Sequence, residues 1–276
     1  MNQPSKGLAP DGQTVGIGIL SWRGAKSLRS ALESYQEADL FSLFDEVLVF
    51  LPDPDKDVIA VAQDYPVRIV THSENLGIAG GMEAVATNLK TDFVILLEND
   101  APLIETREEA ARQITKGCQL IEQGDAVSVL YRHRSQPGQT FQSDVKYLRY
   151  FDRGLMPWLR RTLRPLKARR LTGKSMFVEA NPAKRHPKYI KEAGDGFYLI
   201  STRVTPWINL GMMIKREVFL GTIMPYVNSA PTKRRINGFR NLEIELNDSP
   251  FWTQSGWYMA SSPGLFTHER VEYRGY

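Results

Sequence analysis

The chain has 276 residues, of which 42% are hydrophobic and 24% are charged, close to the average of globular proteins. This composition excludes disordered, collagen-like and coiled-coil chains. A single cysteine, Cys118, leaves no intrachain disulfide and no paired-thiol zinc site, so we expect a reducing, cytoplasmic location. No run of eighteen apolar residues is present and the first residues are polar, so we expect neither a membrane span nor a secretion signal.

The net charge of +4 is too small for a nucleic-acid-binding protein, but the charge is unevenly distributed. Between Lys146 and Lys174 there are ten Lys or Arg residues and one acidic residue, Asp152, interleaved with aromatic and aliphatic side chains such as Trp158 and Leu163. Such a run is commonly a solvated face. The interleaving also suits an anionic membrane surface, as in a protein peripheral to the inner membrane face, or a phosphorylated acceptor. The sequence leaves these interpretations open.

Short apolar runs alternate with longer helical stretches between residues 14 and 131. The predicted strands are VGIGIL, EVLVFL, VRIV, FVILL and AVSVLY, each rich in β-branched residues. Alternation at this spacing is typical of right-handed crossovers and a parallel sheet covered by helices on both faces. The first half of the chain is therefore predicted to be α/β.

The second half has a weaker pattern. Residues 132 to about 196 contain five prolines and the basic run, which predicts a loop-rich insertion or lid. We then expect a strand at FYLIS, helices at LGMMIKREVFLGTI and NLEIELNDSPFW, and a strand pair around WYMA and GLFTH. We predict one continuous domain over residues 1–276, with halves at 14–131 and 132–276 and a basic insertion at 145–175.

Two features near the ends of predicted strands point to a binding site. The turn from Asn75 to Gly81 opens a helix, where backbone N–H groups could face an anion, although it could also be an ordinary flexible turn. The next strand ends in Glu98 and Asp100, which could cap a helix or serve a site. Ligands collect at the carboxyl ends of parallel strands, and paired carboxylates suit Mg²⁺ or Mn²⁺ carrying phosphates. The two features together favour a site.

These segments resemble the nucleotide-sugar-binding half of family 2 glycosyltransferases, which have the GT-A fold. The resemblance runs from Val15 to Leu103 and rests on VGIGILSWRGAKSLRSALESY, on the turn at Asn75 to Gly81, and on Glu98-Asn-Asp100, which stands where the family has its DXD motif. It implies a Rossmann-like mixed sheet flanked by helices. It also implies that a nucleoside diphosphate sugar binds through Mn²⁺ or Mg²⁺.

The resemblance further implies roles for individual residues. Asp100 would be a metal ligand, and Glu98 would face the donor ribose or the water shell of the metal. Asp53 would lie near the nucleobase, a role for which Asp55 is an alternative. The donor contacts expected from the resemblance are Ser21, Asp53, Asn75, Gly77, Gly81 and Glu98.

A second match lies near the C-terminus, where the family often has an acidic pair on a helix and then a strand pair ending in His. Glu243 falls at the position of the catalytic base, with Glu245 two residues further on. Residues two apart on a helix face different directions, so only one of them can point into a cleft, and a solvated helix face is the alternative. His268 would be a further metal ligand, although a lone His is often structural.

Taken together, the resemblance implies a metal-dependent, inverting glycosyltransferase that moves a sugar to a hydroxyl of a glycan or glycolipid acceptor. Two alternatives remain. A sugar nucleotidyltransferase would need a glycine-rich and basic loop after the first strand. The segment SWRGAK at that position has only one glycine and two basic residues. A catalytically degenerate GT-A fold acting as a scaffold is favoured by Glu98, which stands where the family has Asp.

Overall fold

The computed structural model describes residues 6–139, 141–232, 234–247 and 249–271. Within these residues nine strands form one mixed sheet. They are β1 Val15–Leu20, β2 Glu46–Pro52, β3 Arg68–His72, β4 Phe93–Glu98, β5 Ser128–Arg132, β6 Ile190–Glu192, β7 Tyr198–Ser201, β8 Met212–Lys215 and β9 Tyr258–Phe266.

Twelve α-helices occur in the same described ranges. They are α1 Ala25–Glu37, α2 Lys56–Gln63, α3 Gly77–Asn88, α4 Arg107–Glu122, α5 Ser143–Phe151, α6 Leu155–Leu163, α7 Pro165–Leu171, α8 Pro182–Arg185, α9 Arg216–Val218, α10 Met224–Ser229, α11 Leu242–Asn247 and α12 Pro250–Thr253. Short 3₁₀ turns lie at Pro10–Gly12, Leu40–Leu43 and Thr172–Phe177, and a π-helical turn lies at Phe219–Ile223.

The strand order is β3-β2-β1-β4-β8-β5-β9-β7-β6. Strands β3, β2, β1 and β4 are parallel, so their carboxyl ends lie at one edge of the sheet. Strand β8 is antiparallel to both of its neighbours, β4 and β5, whereas β5 and β9 are parallel to each other. The α/β fold and the mixed sheet predicted from the sequence are therefore confirmed.

Strand alternation divides the core between the two faces of the sheet. In β1, Val15, Ile17 and Ile19 point into one apolar cluster, which α1, α2 and α4 cover. In the same strand, Leu20 belongs to the cluster on the opposite face, which α3 and the later helices cover. Because both faces are buried, the parallel strands appear in the sequence as continuous apolar runs.

Gly18 lets helix α3 approach strand β1 closely. A Cβ atom at this position would overlap the side chain of Val85 on α3. We therefore expect Gly18→Ala to lower the free energy of unfolding by about 1–3 kcal/mol through overpacking, measured by chemical denaturation.

The matched control is Gly221→Ala, because a Cβ atom at Gly221 meets no other atom within 4 Å. This control should leave stability unchanged or slightly raised. Restoration of stability in the double variant Gly18→Ala/Val85→Ala would attribute the loss to the overlap, and a fully stable Gly18→Ala protein would contradict the packing argument.

The predicted helix at LGMMIKREVFLGTI is wrong in its first part. Residues Met212–Lys215 form β8, and helical structure begins only at Arg216. Alternation explains the difference, because Met213 points into one core cluster while Met212 and Ile214 point into the other. A strand inserted between two others is buried on both faces and shows no periodicity that separates it from a buried helix.

Three other predicted elements differ from the structure. The region from 132 to 196 is largely helical, because proline occupies the first position of α7 and of α8, where it is compatible with a helix. The predicted strand pair around WYMA and GLFTH is the single strand β9, which continues through Pro263 with a register shift against β5. The predicted helix NLEIELNDSPFW is two short helices, α11 and α12, and Asp248 lies outside the described residues.

Among the residues that the structure describes, no helix is both long and apolar enough to cross a membrane.

Candidate active site

A narrow cavity of about 90 Å³ lies at the carboxyl ends of the parallel strands. Strand ends contribute Leu20, Pro52 and Glu98, and the start of α3 contributes Gly77 and Ile78. The remaining lining residues are Trp22, Asn75, Ile236, Asn237, Phe239, Arg240 and Asn241. The structure thus brings Asn75, Gly77 and Glu98 together, as the sequence predicted, and covers them with the segment from Ile236 to Asn241, which we call the covering segment.

The glycine turn is ordered by its own asparagine. The Asn75 side-chain oxygen accepts a hydrogen bond from the Gly77 backbone N–H at 2.8 Å, and Gly77 has a φ of +65°. Phe239 of the covering segment packs directly on Gly77, so a side chain there would be excluded. Gly81 is buried against Leu20 and supports the packing of α3 on β1. Of the two glycines, only Gly77 lines the cavity.

Buried Asn99 positions the residues that follow β4. Its side-chain nitrogen donates to the Ser21 hydroxyl at 2.8 Å and to the Gly24 carbonyl at 3.2 Å. Ser21 is itself fully buried and donates its backbone N–H to Phe50. Ser21 therefore lies behind the site, where it holds Asn99, whereas the sequence predicted a donor contact.

The two acidic candidates after β2 are now distinguished. The Asp55 side chain accepts from the Val58 backbone N–H at 2.9 Å and caps α2. Asp53 is next to the cavity residue Pro52, and its carboxylate lies 3.2 Å from the Arg23 guanidinium, with 43% of the side chain exposed. Asp53 therefore lies beside the cavity, in an ion pair with Arg23, whereas Asp55 is used as a helix cap.

Asp100 meets His268 in the interior. The Asp100 carboxylate is 1% exposed and lies 3.2 Å from His268 Nε2 and 3.5 Å from an Arg270 nitrogen. The hydrogen bond that His268 donates to Asp100 raises the pKa of His268 above its ordinary value. His268 Nδ1 lies 3.3 Å from the Gln139 carbonyl oxygen, which fixes the ring. Two residues 168 positions apart in the chain, both predicted metal ligands, are thus in contact.

The pair fits a metal site that a bound ligand completes. Within the described ranges no group of three or more His, Cys, Asp or Glu side chains is arranged to hold a metal ion. Asp100 and His268 supply one carboxylate and one imidazole, both suitable for Mn²⁺, and Mg²⁺ or Mn²⁺ sites commonly keep positions for substrate phosphates and water. These two side chains would hold the metal, and a diphosphate would supply the remaining oxygens.

Glu243 occupies a different environment from Glu245. Asn241 caps α11 by accepting from the Glu243 backbone N–H, and the Glu243 carboxylate accepts from the Asn209 backbone N–H at 3.2 Å. Burial raises the pKa of Glu243. The hydrogen bond from Asn209 and the charge of Arg132 lower it by a smaller amount, so the pKa stays above its ordinary value. A carboxylate with a raised pKa is suited to accept a proton.

Glu245 is engaged in ion pairs with the region of the covering segment. Its side chain is fully buried, and one oxygen lies 3.6 Å from Arg235 and 3.4 Å from Arg240. Arg240 also donates to the Ala230 carbonyl at 2.9 Å. Glu245 therefore anchors the chain above the cavity, which leaves Glu243 as the candidate base.

Arg132 connects the two parts of the site. It lies at the carboxyl end of β5 and donates two hydrogen bonds to the Pro137 carbonyl, at 2.9 and 2.7 Å. Its charge interacts with both Glu243 and Asp100. The guanidinium is thus within electrostatic reach of the metal-ligand pair and of the candidate base.

Sequence reasoning missed Arg132, Asn209 and the covering segment. Arg132 carried a usable signal, because it directly follows the predicted strand AVSVLY, as Glu98 follows FVILL. Asn209 acts through its backbone and carried no such signal.

Comparison with solved structures places the sheet in a known architecture. A mannosyltransferase from Pyrobaculum calidifontis, in complex with GDP-mannose and Mn²⁺, matches 99% of this chain at a TM-score of 0.53 and 14% identity. The chain has the GT-A fold. The structure of a mycobacterial protein matches 95% of this chain, at a TM-score of 0.50 and 14% identity. Glucosyl-3-phosphoglycerate synthase from Mycobacterium tuberculosis, in complex with phosphoglyceric acid, also matches 95% of this chain, at a TM-score of 0.50 and 13% identity.

The GT-A fold is thus confirmed, as the resemblance implied. This chain spans 61% of the mannosyltransferase, 69% of the mycobacterial protein and 74% of the synthase. No protein-family model matches the sequence, and no curated protein matches it.

Proposed function

We propose that this protein is a metal-dependent, inverting glycosyltransferase that uses a nucleoside diphosphate sugar. One observation carries the proposal. On a GT-A fold, the contacting pair Asp100 and His268 and the carboxylate of Glu243 both lie within electrostatic reach of Arg132. This arrangement offers a site for a metal-bound diphosphate and a base for an acceptor hydroxyl.

The reaction is a single displacement. Glu243 accepts the proton of the acceptor hydroxyl as its oxygen forms a bond to the anomeric carbon. The bond from that carbon to the diphosphate breaks on the opposite face, and its electron pair leaves with the diphosphate. Configuration therefore inverts, and Glu243 carries the transferred proton.

The departing diphosphate develops negative charge, which is the main electrostatic demand of the reaction. A bound Mn²⁺ or Mg²⁺ would supply Lewis-acid stabilisation of that charge. Asp100 and His268 would hold the metal, and Arg132 and Arg270 add fixed positive charge beside Asp100. Solved structures of similar fold in complex with Mn²⁺ and a nucleotide or nucleotide sugar support a metal-dependent donor site.

The donor would enter the cavity beside Glu98 and the glycine turn. Asn75, Gly77 and Glu98 would contact it, with Asp53 at the rim. Ligand pockets usually measure roughly 300–1,000 Å³, so the 90 Å³ cavity needs displacement of the covering segment to admit a nucleotide sugar. Phe239, which packs on Gly77, is the side chain that would have to move first.

The acceptor is proposed to be an anionic glycan or glycolipid. Burial lowers the pKa of Lys174, and the nearby charges of Lys146 and Arg132 lower it further, so these three cations are neighbours in space. They extend from the candidate base toward the basic segment of α5 to α7. A negatively charged acceptor would be attracted along this track.

Arg132→Gln is expected to move the acid limb of the kcat/KM profile to higher pH. The Arg132 charge lowers the pKa of Glu243 and of His268, so its removal raises both. More alkaline solution is then needed to deprotonate the base. The measurement is initial rate against pH.

Arg134→Gln is the matched control, because Arg134 donates to the Gly196 carbonyl and lies over the Tyr198 ring, away from Glu243. Its acid limb should coincide with that of the unmodified protein. An unchanged limb in Arg132→Gln would exclude Arg132 as the electrostatic partner of the base.

The proposal is tested by calorimetric titration with a panel of nucleoside diphosphates and their sugars, with Mn²⁺ and with EDTA. Binding of one nucleotide that requires Mn²⁺, together with metal-dependent release of the free sugar or its transfer, would support it. Binding without turnover over any acceptor would favour a scaffold role. No binding at all would overturn the assignment of the cavity.

A further inference from the structure

Helix α6 exposes its apolar face to solvent. Seven of the ten exposed large hydrophobic side chains in the described part of the chain lie between residues 145 and 166. On α6 itself the exposed fractions are 69% for Leu155, 63% for Met156, 52% for Trp158 and 74% for Leu163. No residue of α6 is buried. Contiguous apolar exposure of this kind marks an interaction surface.

Two arginines attach α6 to α5. Arg160 donates to the Arg149 carbonyl at 3.1 Å, and Arg161 donates to the Tyr150 carbonyl, so both arginines satisfy acceptors in the last turn of α5. Apart from the partly buried Leu159, the large apolar side chains of α6 thus face solvent. Such a helix needs an apolar phase on its outer side.

A cationic cavity opens beside this apolar face. It measures about 520 Å³ and lies between α5, α6 and α7. The cations that line it are Lys146, Arg149, Arg160, Arg164 and Lys167, and the described lining residues include no acid. Leu163 belongs both to the exposed apolar face and to the cavity wall, so the two features adjoin.

We propose that the surface formed by α5, α6 and α7 docks on an anionic lipid bilayer. The apolar side chains of α6 enter the boundary between head groups and acyl chains, and the cationic cavity receives a lipid phosphate. A soluble phosphorylated partner would satisfy the cations but would leave the apolar face of α6 in water. The adjoining apolar and cationic surfaces therefore favour a bilayer. This docking does not depend on transferase activity.

The test is co-sedimentation of the purified protein with vesicles of phosphatidylcholine alone and of phosphatidylcholine with phosphatidylglycerol. We expect sedimentation with the anionic vesicles only, weakened by added salt. Trp158→Asp/Leu163→Asp should remove apolar insertion, and Lys146→Glu/Lys167→Glu should reverse charge in the cavity. Each double variant is expected to reduce partitioning at least about tenfold. Arg160 and Arg161 are kept because they hold α6 on α5.

Two control variants carry the same charge changes elsewhere. Ile104→Asp/Val271→Asp changes two exposed apolar side chains, and Lys56→Glu/Lys90→Glu reverses two exposed lysines, all outside α5 to α7. Both should sediment as the unmodified protein does. The proposal is overturned if the unmodified protein stays in the supernatant, or if the test variants sediment normally.

One further outcome would reassign the cavity. If vesicles fail to sediment the protein but calorimetry shows binding of glycerol 1-phosphate that Lys146→Glu/Lys167→Glu abolishes, the cavity serves a soluble phosphorylated ligand. That result would overturn membrane docking.

Discussion

Asp100→Asn is expected to abolish metal-dependent donor binding and to lower kcat/KM by at least about 10³-fold. The change keeps the shape of the side chain but removes the charge that faces His268 at 3.2 Å and Arg270 at 3.5 Å. A neutral amide is a weaker ligand for Mn²⁺ than a carboxylate, and His268 is the other side chain of the proposed site. Calorimetry with Mn²⁺ and the selected nucleotide measures binding, and initial rates measure kcat/KM.

Asp92→Asn is the matched control at the opposite end of β4. Its carboxylate accepts from the Thr14 backbone N–H at 2.8 Å, a bond that an asparagine oxygen can also accept, and it lies away from the cavity. We expect donor binding to be unchanged in this variant. If Asp100→Asn retained Mn²⁺-dependent binding, the metal would have to be held elsewhere, and the proposed site would be wrong.

Glu243→Gln is expected to lower kcat by about 10²- to 10⁴-fold with little change in donor affinity. Glutamine can still accept the hydrogen bond from Asn209 but cannot take a proton from an acceptor. The effect of this substitution on the free energy of unfolding should be small, and it should stabilise the protein rather than destabilise it. Because the folded state raises the pKa of Glu243, its contribution to stability is full below the ordinary glutamate pKa and is lost as pH rises through the folded value. At neutral pH the variant should therefore be at least as stable as the unmodified protein.

Glu245→Gln provides the contrasting variant two residues away. Removal of this buried charge weakens the ion pairs with Arg235 and Arg240. We expect a loss of about 1–3 kcal/mol in the free energy of unfolding, with a much smaller effect on kcat than in Glu243→Gln. The reverse pattern, with activity lost at Glu245 and kept at Glu243, would identify Glu245 as the base and contradict the proposed assignment.

The first half of the fold could be predicted because its physical signals are local. Strands β1, β2 and β4 are continuous apolar runs, since both faces of the sheet are covered. Strand β8 could not be predicted in the same way, because a run of four residues, three of them buried and two of them methionine, fits a helix as well as a strand. The ordered resemblance, rather than local pattern, indicated the GT-A fold.

The sequence could predict those residues of the candidate site that directly follow a predicted strand. Asp100 and His268 were both expected to serve a metal, and they are in contact. Helical geometry predicted that Glu243 and Glu245 face different directions. Which carboxylate faces which way became clear only from their partners in the structure, Asn209 and Arg235. Ser21 supports Asn99 from behind, a relation that depends on tertiary packing.

The late insertion of β8 has a consequence for how the molecule assembles. Strand β5, which closes the first half of the chain, has only β8 and β9 as neighbours in the sheet, and both are synthesised after it. During translation, the 79 residues between β5 and β8 must therefore be synthesised before β5 and the second edge of β4 can pair. Such long-range closure is slow and leaves strand edges open to other chains. We therefore expect the two halves of the sheet to complete their folding together.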